Sequence, residues 1–491
     1  MTPSPASGLV RPPPDEARAP GRPDASPAPG PVRQPPSNAR TRLLLEAPIV
    51  PTLIRLGAPN VVVNVVLIAV TASVDAHFVG QLGPSALAGL ALVFPIVMLM
   101  QQMANSSMGG AIASAIARAV GAGRREDAGA LVVHGILIAL GMAALFTAAL
   151  LLAGPAFFRL LGGSGEMHAV AVSYSTAIFA GASAFWILGA LTSVVRGTGH
   201  AAVLAGVYLA AEALHIALVP ALVFGVGPLP ALGAAGAGIA TVTSCAASAA
   251  ALAWYIASGR TAIAISRRSV RLDRQMFMEI LRVGVPSSLT PILGNITLAV
   301  LTGFVATLGP AAVAGFSAAV RLEYVQVPVT FGLGVGVLAM VGTSIGAAQL
   351  GRAARVAWTG AGLAMAATAC FSVLAIGWPG LWIGLFSSDP AVHDAGTRVL
   401  GVVGTTYPFL GLGFALAYAF QAAGRPLWPL LAMIGRVLVT VAVGWIAIHW
   451  ARGGLVGLAI VAATGLVVHG SILAVAFRTG AWRRGLRARS V

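Results

Sequence analysis

Long apolar segments alternate with short polar connections over most of this chain. Each segment is long enough to cross a bilayer as a helix, which takes roughly 20 residues. The pattern predicts an all-α polytopic membrane protein with about twelve transmembrane helices. We place these spans near residues 56–80, 85–120, 130–154, 168–195, 202–226, 232–257, 283–308, 311–347, 356–384, 396–421, 427–449 and 454–477.

The pattern repeats after about half of the chain. RLGAP at residues 55–59 matches RVGVP at residues 282–286, a displacement of 284 − 57 = 227 residues. The LGP of residues 82–84 recurs at residues 308–310, displaced by 309 − 83 = 226 residues. A displacement that stays nearly constant indicates two homologous six-helix lobes.

Polar segments bound the two lobes. Residues 1–45 are rich in Pro, Ala and Arg and contain no apolar run of the roughly 7 residues that a signal peptide needs, a composition that is typical of a disordered tail. We expect this tail to be cytoplasmic. The rest of the chain divides into an N-lobe, a cytoplasmic linker, a C-lobe and a basic cytoplasmic tail, at residues 46–260, 261–279, 280–480 and 481–491.

The chain has few charged residues, and its positive charge at neutral pH comes from arginine alone. Only 9% of the residues are charged, against roughly 25% in soluble proteins. The sequence contains no lysine, which excludes a Walker A loop and with it a P-loop ATPase. Because the arginines flank apolar spans on alternate sides, they are typical of topology signals rather than of a nucleic-acid surface. The positive-inside rule then predicts an inner (plasma) membrane protein with both termini in the cytoplasm.

The first span carries one polar stripe. Four polar side chains fall on one narrow face at about 100° per residue, namely Asn60, Asn64, Thr71 and Asp75. A charged carboxylate inside a membrane is costly and by default marks function. The corresponding part of the second lobe has Leu301 and Thr302 instead. The lobes are therefore expected to share a scaffold and to differ in chemistry.

The fifth span holds a second ionisable pair. Tyr208, Glu212 and His215 are spaced i, i+4, i+7 and share one helix face. Alone, His215 is typical of a hydrogen-bonded core histidine. Beside Glu212, in the lobe that also holds Asp75, a functional role is favoured, because titratable groups in one dry cavity bind protons as a coupled set.

Other candidate residues are fewer. Arg436 in the eleventh span could snorkel to the bilayer edge, pair with a helix C-terminus or steer a substrate, and we include it with Asn60, Asn64, Thr71 and Tyr208 among cavity residues. Arg321 and Glu323 could form a structural pair at the bilayer edge or part of a second cavity wall, and we favour the structural pair. The sequence has no zinc motif, nucleophile elbow or nucleotide fingerprint. We therefore expect no enzymatic activity and no cofactor or metal beyond a coupling H⁺ or Na⁺.

The motifs resemble those of a known family. VDAHFVGQLGPSALAG closes the first span, GAGRREDA follows the second, RGTGH follows the fourth and FQAAGRPLWP follows the tenth. Over residues 50 to about 480 the chain resembles the multidrug and toxic compound extrusion (MATE) family, nearest to its prokaryotic DNA-damage-inducible-like branch. The resemblance implies two lobes around a V-shaped cavity and export of cationic amphipathic compounds in exchange for Na⁺ or H⁺. It also implies that Asp75 is the family's first-span acid.

The fifth span departs from that family's pattern. The family usually has an Asn and, four residues later, an Asp before a Pro, whereas this chain has His215 and Val219 followed by Pro220. Glu212, on the same face, is a candidate replacement for the missing acid. We therefore favour H⁺ over Na⁺, because an imidazole replaces an amide oxygen and titrates near neutral pH. The oxygens on the first span keep Na⁺ open.

These observations predict a cation-coupled antiporter that exports amphipathic, often cationic, drugs or metabolites across the inner membrane. Asp75 is the expected coupling carboxylate, with Glu212 and His215 as its partners, and the protein is expected to work as a monomer. A lipid-linked precursor flippase of related architecture is the alternative, although a flippase would favour a large basic cavity. A twofold repeat with one asymmetric acid suits alternating access better than a channel.

Overall fold

Helices form almost all of the structure, a computed structural model that describes residues 39–227, 230–261, 263, 272–449 and 453–483. The first half contains α1 (Ala39–Glu46), α2 (Ile49–Gly80), α3 (Pro84–Gln102), α4 (Met108–Gly121), α5 (Arg125–Leu160), α6 (Gly165–Ala180), α7 (Ala182–Gly197), α8 (Ala201–Phe224) and α9 (Ala234–Ala257). The second half contains α10 (Arg274–Ala306), α11 (Pro310–Gly346), α12 (Leu350–Gly377), α13 (Pro379–Ile383), α14 (Pro390–Val403), α15 (Tyr407–Ala422), α16 (Leu427–His449) and α17 (Gly454–Arg478).

The helices are long enough for a membrane. Among the described residues, ten helices are long and apolar enough to cross a bilayer, and the bent pair α6 and α7 adds an eleventh. Helix α2 has 32 residues, which is roughly 48 Å at 1.5 Å per residue, and brings the number to twelve. Large apolar side chains such as Leu152 (84% exposed) point outward, as a lipid-facing surface requires. The predicted all-α fold of about twelve transmembrane helices in two lobes is confirmed.

One predicted span is bent in the middle, and two others are continuous but contain a short turn of another helix type. The span predicted at 168–195 consists of α6 and α7, which meet at Gly181 with a bend of 48°. A Cβ at Gly181 would overlap the side chain of Val242 on α9, so the missing side chain lets α9 approach at the bend. The span predicted at 396–421 consists of α14 and α15 with a 3₁₀ turn between them. A π turn, Met103–Ser107, similarly joins α3 to α4.

The repeated LGP motif has the same structure in both lobes. Gly83 and Gly309 have φ angles of 120° and 107°, a region that glycine adopts without steric cost. Pro84 and Pro310 follow at the first helical position, where a fixed φ is already helical and no N–H is needed. The two halves therefore begin their second long helices in the same way.

An apolar cluster joins the two lobes. It includes Leu53 and Leu56 of α2, which lie in the same buried core as Val337 and Met340 of α11. Separate clusters fill the first lobe and the second. Within this cluster α2 contributes residues of its first turns and α11 residues of its second half, so these two helices meet there.

Small residues make that contact close. A Cβ on Gly121 of α4 would overlap the carbonyl oxygen of Thr343, and a Cβ on Gly346 of α11 would overlap that of Arg118. Such small-residue contacts let helix backbones approach in lipid, where packing replaces the hydrophobic effect. We call this contact between α4 and α11, built around Gly121 and Gly346, the inter-lobe gate.

The prediction of a disordered tail over residues 1–45 was wrong for the last of these residues. Residues 39–45 belong to α1, in which Leu44 and Leu45 are buried and Leu44 packs in the cluster that joins the lobes. The guanidinium of Arg352 holds the helix end by donating to the carbonyl of Leu44 at 3.1 Å and to that of Ala47 at 2.7 Å. At the other end, Trp482 stacks on Phe477 at 5.1 Å between ring centroids. Residues 1–38 and 484–491 of the predicted tails lie outside the described residues.

Candidate functional site

Three helices converge on one carboxylate in the N-lobe. Asp75 of α2 is only 6% exposed. Its Oδ1 is hydrogen-bonded to Nε2 of His215 on α8 at 3.1 Å. Its Oδ2 accepts a long hydrogen bond of 3.4 Å from the hydroxyl of Tyr174 on α6. The charge of Asp75 therefore links α2 to α6 and α8 through hydrogen bonds that a charged acceptor strengthens.

Glu212 makes a second link between α2 and α8. The hydroxyl of Thr71 donates to Oε2 of Glu212 at 2.9 Å, one turn of α2 before Asp75. The other carboxylate oxygen of Glu212 and Nδ1 of His215 are buried without a hydrogen-bond partner among the described residues. An unpaired buried polar atom costs about 1–3 kcal/mol, so both atoms would gain from a proton or a polar ligand.

The polar strip continues along the same helices away from Asp75. The hydroxyls of Tyr208 and Thr192 are hydrogen-bonded at 3.0 Å. Nε of Arg196, on α7, donates to Oδ1 of Asn60 at 3.3 Å. The amide groups of Asn60 and Asn64 donate to backbone carbonyls one turn earlier, at 2.9 and 2.8 Å. The structure thus places the predicted residues of α2 and α8 on facing helices of one lobe.

Arg436 lies apart from this strip. Its Nη2 is 4.0 Å from Oε2 of Glu323. This ion pair lies in the C-lobe, whereas Asp75 lies in the N-lobe. The predicted pairing of Arg321 with Glu323 was wrong: Arg321 lies over the ring of Phe386 at 4.9 Å. Residues two apart on a helix do not face each other, and each therefore takes a different partner.

The inter-lobe gate also carries polar contacts. Nη1 of Arg118 donates to the carbonyl of Ala422 at 2.8 Å, and its Nη2 donates to Glu279 at 3.0 Å. The amide of Gln421 donates to the carbonyls of Ser106 and Ser107, both at 3.1 Å. These bonds join the first half of the chain to the second.

Sequence reasoning missed several of these residues. Tyr174 lies in the fourth predicted span, and helical spacing within one span does not link it to Asp75, which its hydroxyl contacts at 3.4 Å. Arg196 belongs to the RGTGH motif between two apolar spans, a position where an arginine is typical of a topology signal. Its burial at 6% exposure distinguishes Arg196 from such arginines.

The MatE family model matches this chain twice, over residues 61–221 and 286–446. The two matches are displaced by 286 − 61 = 225 residues, in agreement with the repeat seen in the sequence. The chain belongs to the MatE family. MatE membership confirms the predicted relationship, and the twofold match explains why both lobes begin with the same motifs.

Individual relatives have low sequence identity to this chain, but the alignments cover most of both chains. The "FAD transporter" of Shewanella oneidensis is 25% identical over 405 residues, 81% of this chain and 87% of its own length. The "Multidrug export protein MepA" of Staphylococcus aureus is 24% identical over 389 residues, 77% and 83% of the two chains. A solved structure titled "Outward-facing conformation of a multidrug resistance MATE family transporter of the MOP superfamily" has a TM-score of 0.82 at 24% identity. It covers 91% of this chain and 99% of its own.

These comparisons support a general assignment of function. A chain of the MatE family with this many apolar helices is a multi-pass membrane transporter of small molecules. Its assignment to the DNA-damage-inducible-like branch stays a prediction. The roles of Asp75, Glu212 and His215, and the coupling ion, are likewise matters for proposal.

Proposed function

We propose that the protein is an H⁺-coupled antiporter that exports amphipathic drugs or metabolites across the inner membrane. The observation that carries the proposal is the buried Asp75 carboxylate, hydrogen-bonded to a histidine on one neighbouring helix and a tyrosine on another. The arginine-rich connections favour cytoplasmic termini, and a site contained in one N-lobe is compatible with a working monomer.

The contacts around Asp75 favour a proton over a sodium ion. A sodium site needs several free oxygen ligands in one place. Here the hydroxyl of Thr71 donates to Glu212, and the amide oxygen of Asn60 accepts from Arg196. His215 presents a nitrogen to Asp75, and a ring nitrogen is both a proton carrier near neutral pH and a poor ligand for a hard cation.

The same geometry suggests how a proton would change the lobe. A proton that reaches Asp75 from outside neutralises the carboxylate and weakens the hydrogen bonds that link α2 to α6 and α8. Helix α2 can then repack and displace an exported compound from the cavity. The loss of the proton on the other side restores these links. Rocking of the two lobes about the inter-lobe gate completes an alternating-access cycle.

Replacing His215 with asparagine is expected to change the pH dependence of transport. An imidazole can take up and release a proton in the physiological pH range, whereas an amide cannot. We expect His215→Asn to retain substrate binding but to flatten the pH profile of efflux in this range, measured in proteoliposomes at a fixed pH gradient.

A matched control is His134→Asn, because His134 is a buried histidine outside the site. Its Nε2 accepts from the backbone N–H of Asp273 at 2.9 Å, and its Nδ1 is 2.7 Å from the carbonyl of Ala130. We expect this variant to keep the wild-type profile. An unchanged profile in His215→Asn, or the same change in both variants, would contradict the role of His215.

A further inference from the structure

One buried cation at the lobe interface takes no part in the proton site. Arg196 ends α7 and is 6% exposed. Its Nε donates to Asn60, but its Nη1 has no hydrogen-bond partner among the described residues. Nor does any carboxylate of the described residues lie within 4.0 Å of it. A buried charge without a counter-charge is costly, so this guanidinium would gain from an anion.

Arg196 lines a cavity to which both lobes contribute. The N-lobe supplies Asn105, Ser193 and Arg196, and the C-lobe supplies Val335, Leu338 and Tyr418. The volume is about 10 Å³, which is roughly the space that one water needs. Because the two walls belong to different lobes, the cavity must widen when the inter-lobe gate opens.

Aromatic rings stand beside the guanidinium. The ring of Phe331 lies 4.9 Å from the guanidinium carbon of Arg196, and Tyr418 lies edge-on to Phe331 at 6.0 Å. A guanidinium is a planar fork that matches the two oxygens of a carboxylate or phosphate. Aromatic rings beside it suit a flat ring carried by the same ligand. The wall thus fits an aromatic compound with an oxyanion group.

We infer that Arg196 binds the phosphate or carboxylate group of an exported aromatic compound when the inter-lobe gate is open. This inference rests on the proposed function as an exporter and names its substrate class. When the gate closes, Phe331 covers the face of the guanidinium and the cavity shrinks to the size of a water. The anionic group is then expelled towards the opposite side. Asp75 and Arg196 therefore have different tasks. The carboxylate of Asp75 binds a proton, and the guanidinium of Arg196 binds the substrate.

Equilibrium binding of two flavins tests the inference. FMN and riboflavin share a fluorescent ring and differ in one phosphate. With the purified full-length protein in detergent, we expect the Kd of FMN to be about tenfold lower than that of riboflavin. Arg196→Met should bring the ratio of the two Kd values close to one, and Arg196→Lys should keep part of the preference.

The controls separate this result from folding and from coupling. Arg321→Met removes another arginine that lies over an aromatic ring, and it should keep the wild-type ratio. Because no gradient is imposed, the outcome does not depend on which ion drives transport. Equal Kd values in the wild type, a ratio retained in Arg196→Met, or failure of the wild type to bind FMN would overturn the inference. The inference would also be overturned if the FMN preference were lost in phosphatidylglycerol nanodiscs and kept in phosphatidylcholine nanodiscs, because a lipid headgroup would then be the bound anion.

Discussion

Asp75→Asn is expected to reduce export driven by a pH gradient to the level of protein-free vesicles. The amide cannot take up a proton in place of the carboxylate, so the coupling step is lost. Its oxygen can still accept from the hydroxyl of Tyr174, which contacts Asp75 at 3.4 Å. We therefore expect normal insertion and a normal thermal transition, measured by the yield and melting of the detergent-purified protein beside efflux in proteoliposomes.

Asp127→Asn is the matched control for this change. Asp127 lies in the first turn of α5, where it pairs with Arg124 at 2.8 Å in an exposed position. Exposed pairs of this kind contribute little to stability, so we expect near wild-type efflux. Full retention of efflux by Asp75→Asn would contradict the mechanism, whereas its failure to insert would show that Asp75 has a structural role.

Gly121→Val is expected to hold the inter-lobe gate open. A Cβ at Gly121 would overlap the backbone of Thr343, and backbone cannot move aside as a side chain can. Overpacking costs about 1–3 kcal/mol, which lowers the ratio of closed to open gates by roughly 5- to 150-fold. Transport should fall in proportion, because a gate that does not close cannot isolate the two sides.

The distance across the gate measures this shift. Cys245 and Cys370 would be replaced, and spin labels would be placed on new cysteines at positions 126 and 355. Glu126 and Arg355 are exposed on opposite lobes. We expect the distance between the two labels to increase in Gly121→Val. Gly141→Val is the control, because a Cβ there meets no atom within 4 Å. An unchanged distance in Gly121→Val, or an equal change in both variants, would contradict the assignment of the gate.

Much of the fold could be predicted because a membrane imposes it on the sequence. Apolar runs of sufficient length must be helices in lipid, and the repeated LGP motif marks the same helix start in each lobe. The polar stripe from Asn60 to Asp75 and its facing residues Glu212 and His215 were predictable for a similar reason. Polar residues are rare in such helices, and helical spacing shows which of them share a face.

The contacts between helices could not be predicted in this way. Tyr174 reaches Asp75 from 99 positions away, and Arg118 reaches Glu279 from 161 positions away. A single sequence carries no signal that pairs such residues. Helix α1 was missed because its apolar residues, Leu43 to Leu45, form only a short run beside a long polar tail. Its stability comes from packing on the C-lobe and from Arg352, not from its own composition.

Transport under separately imposed gradients tests the central claim most directly. Proteoliposomes that contain the wild type or Asp75→Asn would be loaded with FMN, and either a pH gradient without Na⁺ or a Na⁺ gradient at equal pH would be applied. The account predicts that the pH gradient alone drives FMN movement by the wild type and not by Asp75→Asn, and that the Na⁺ gradient drives neither. Movement that requires the Na⁺ gradient and ignores the pH gradient would contradict it.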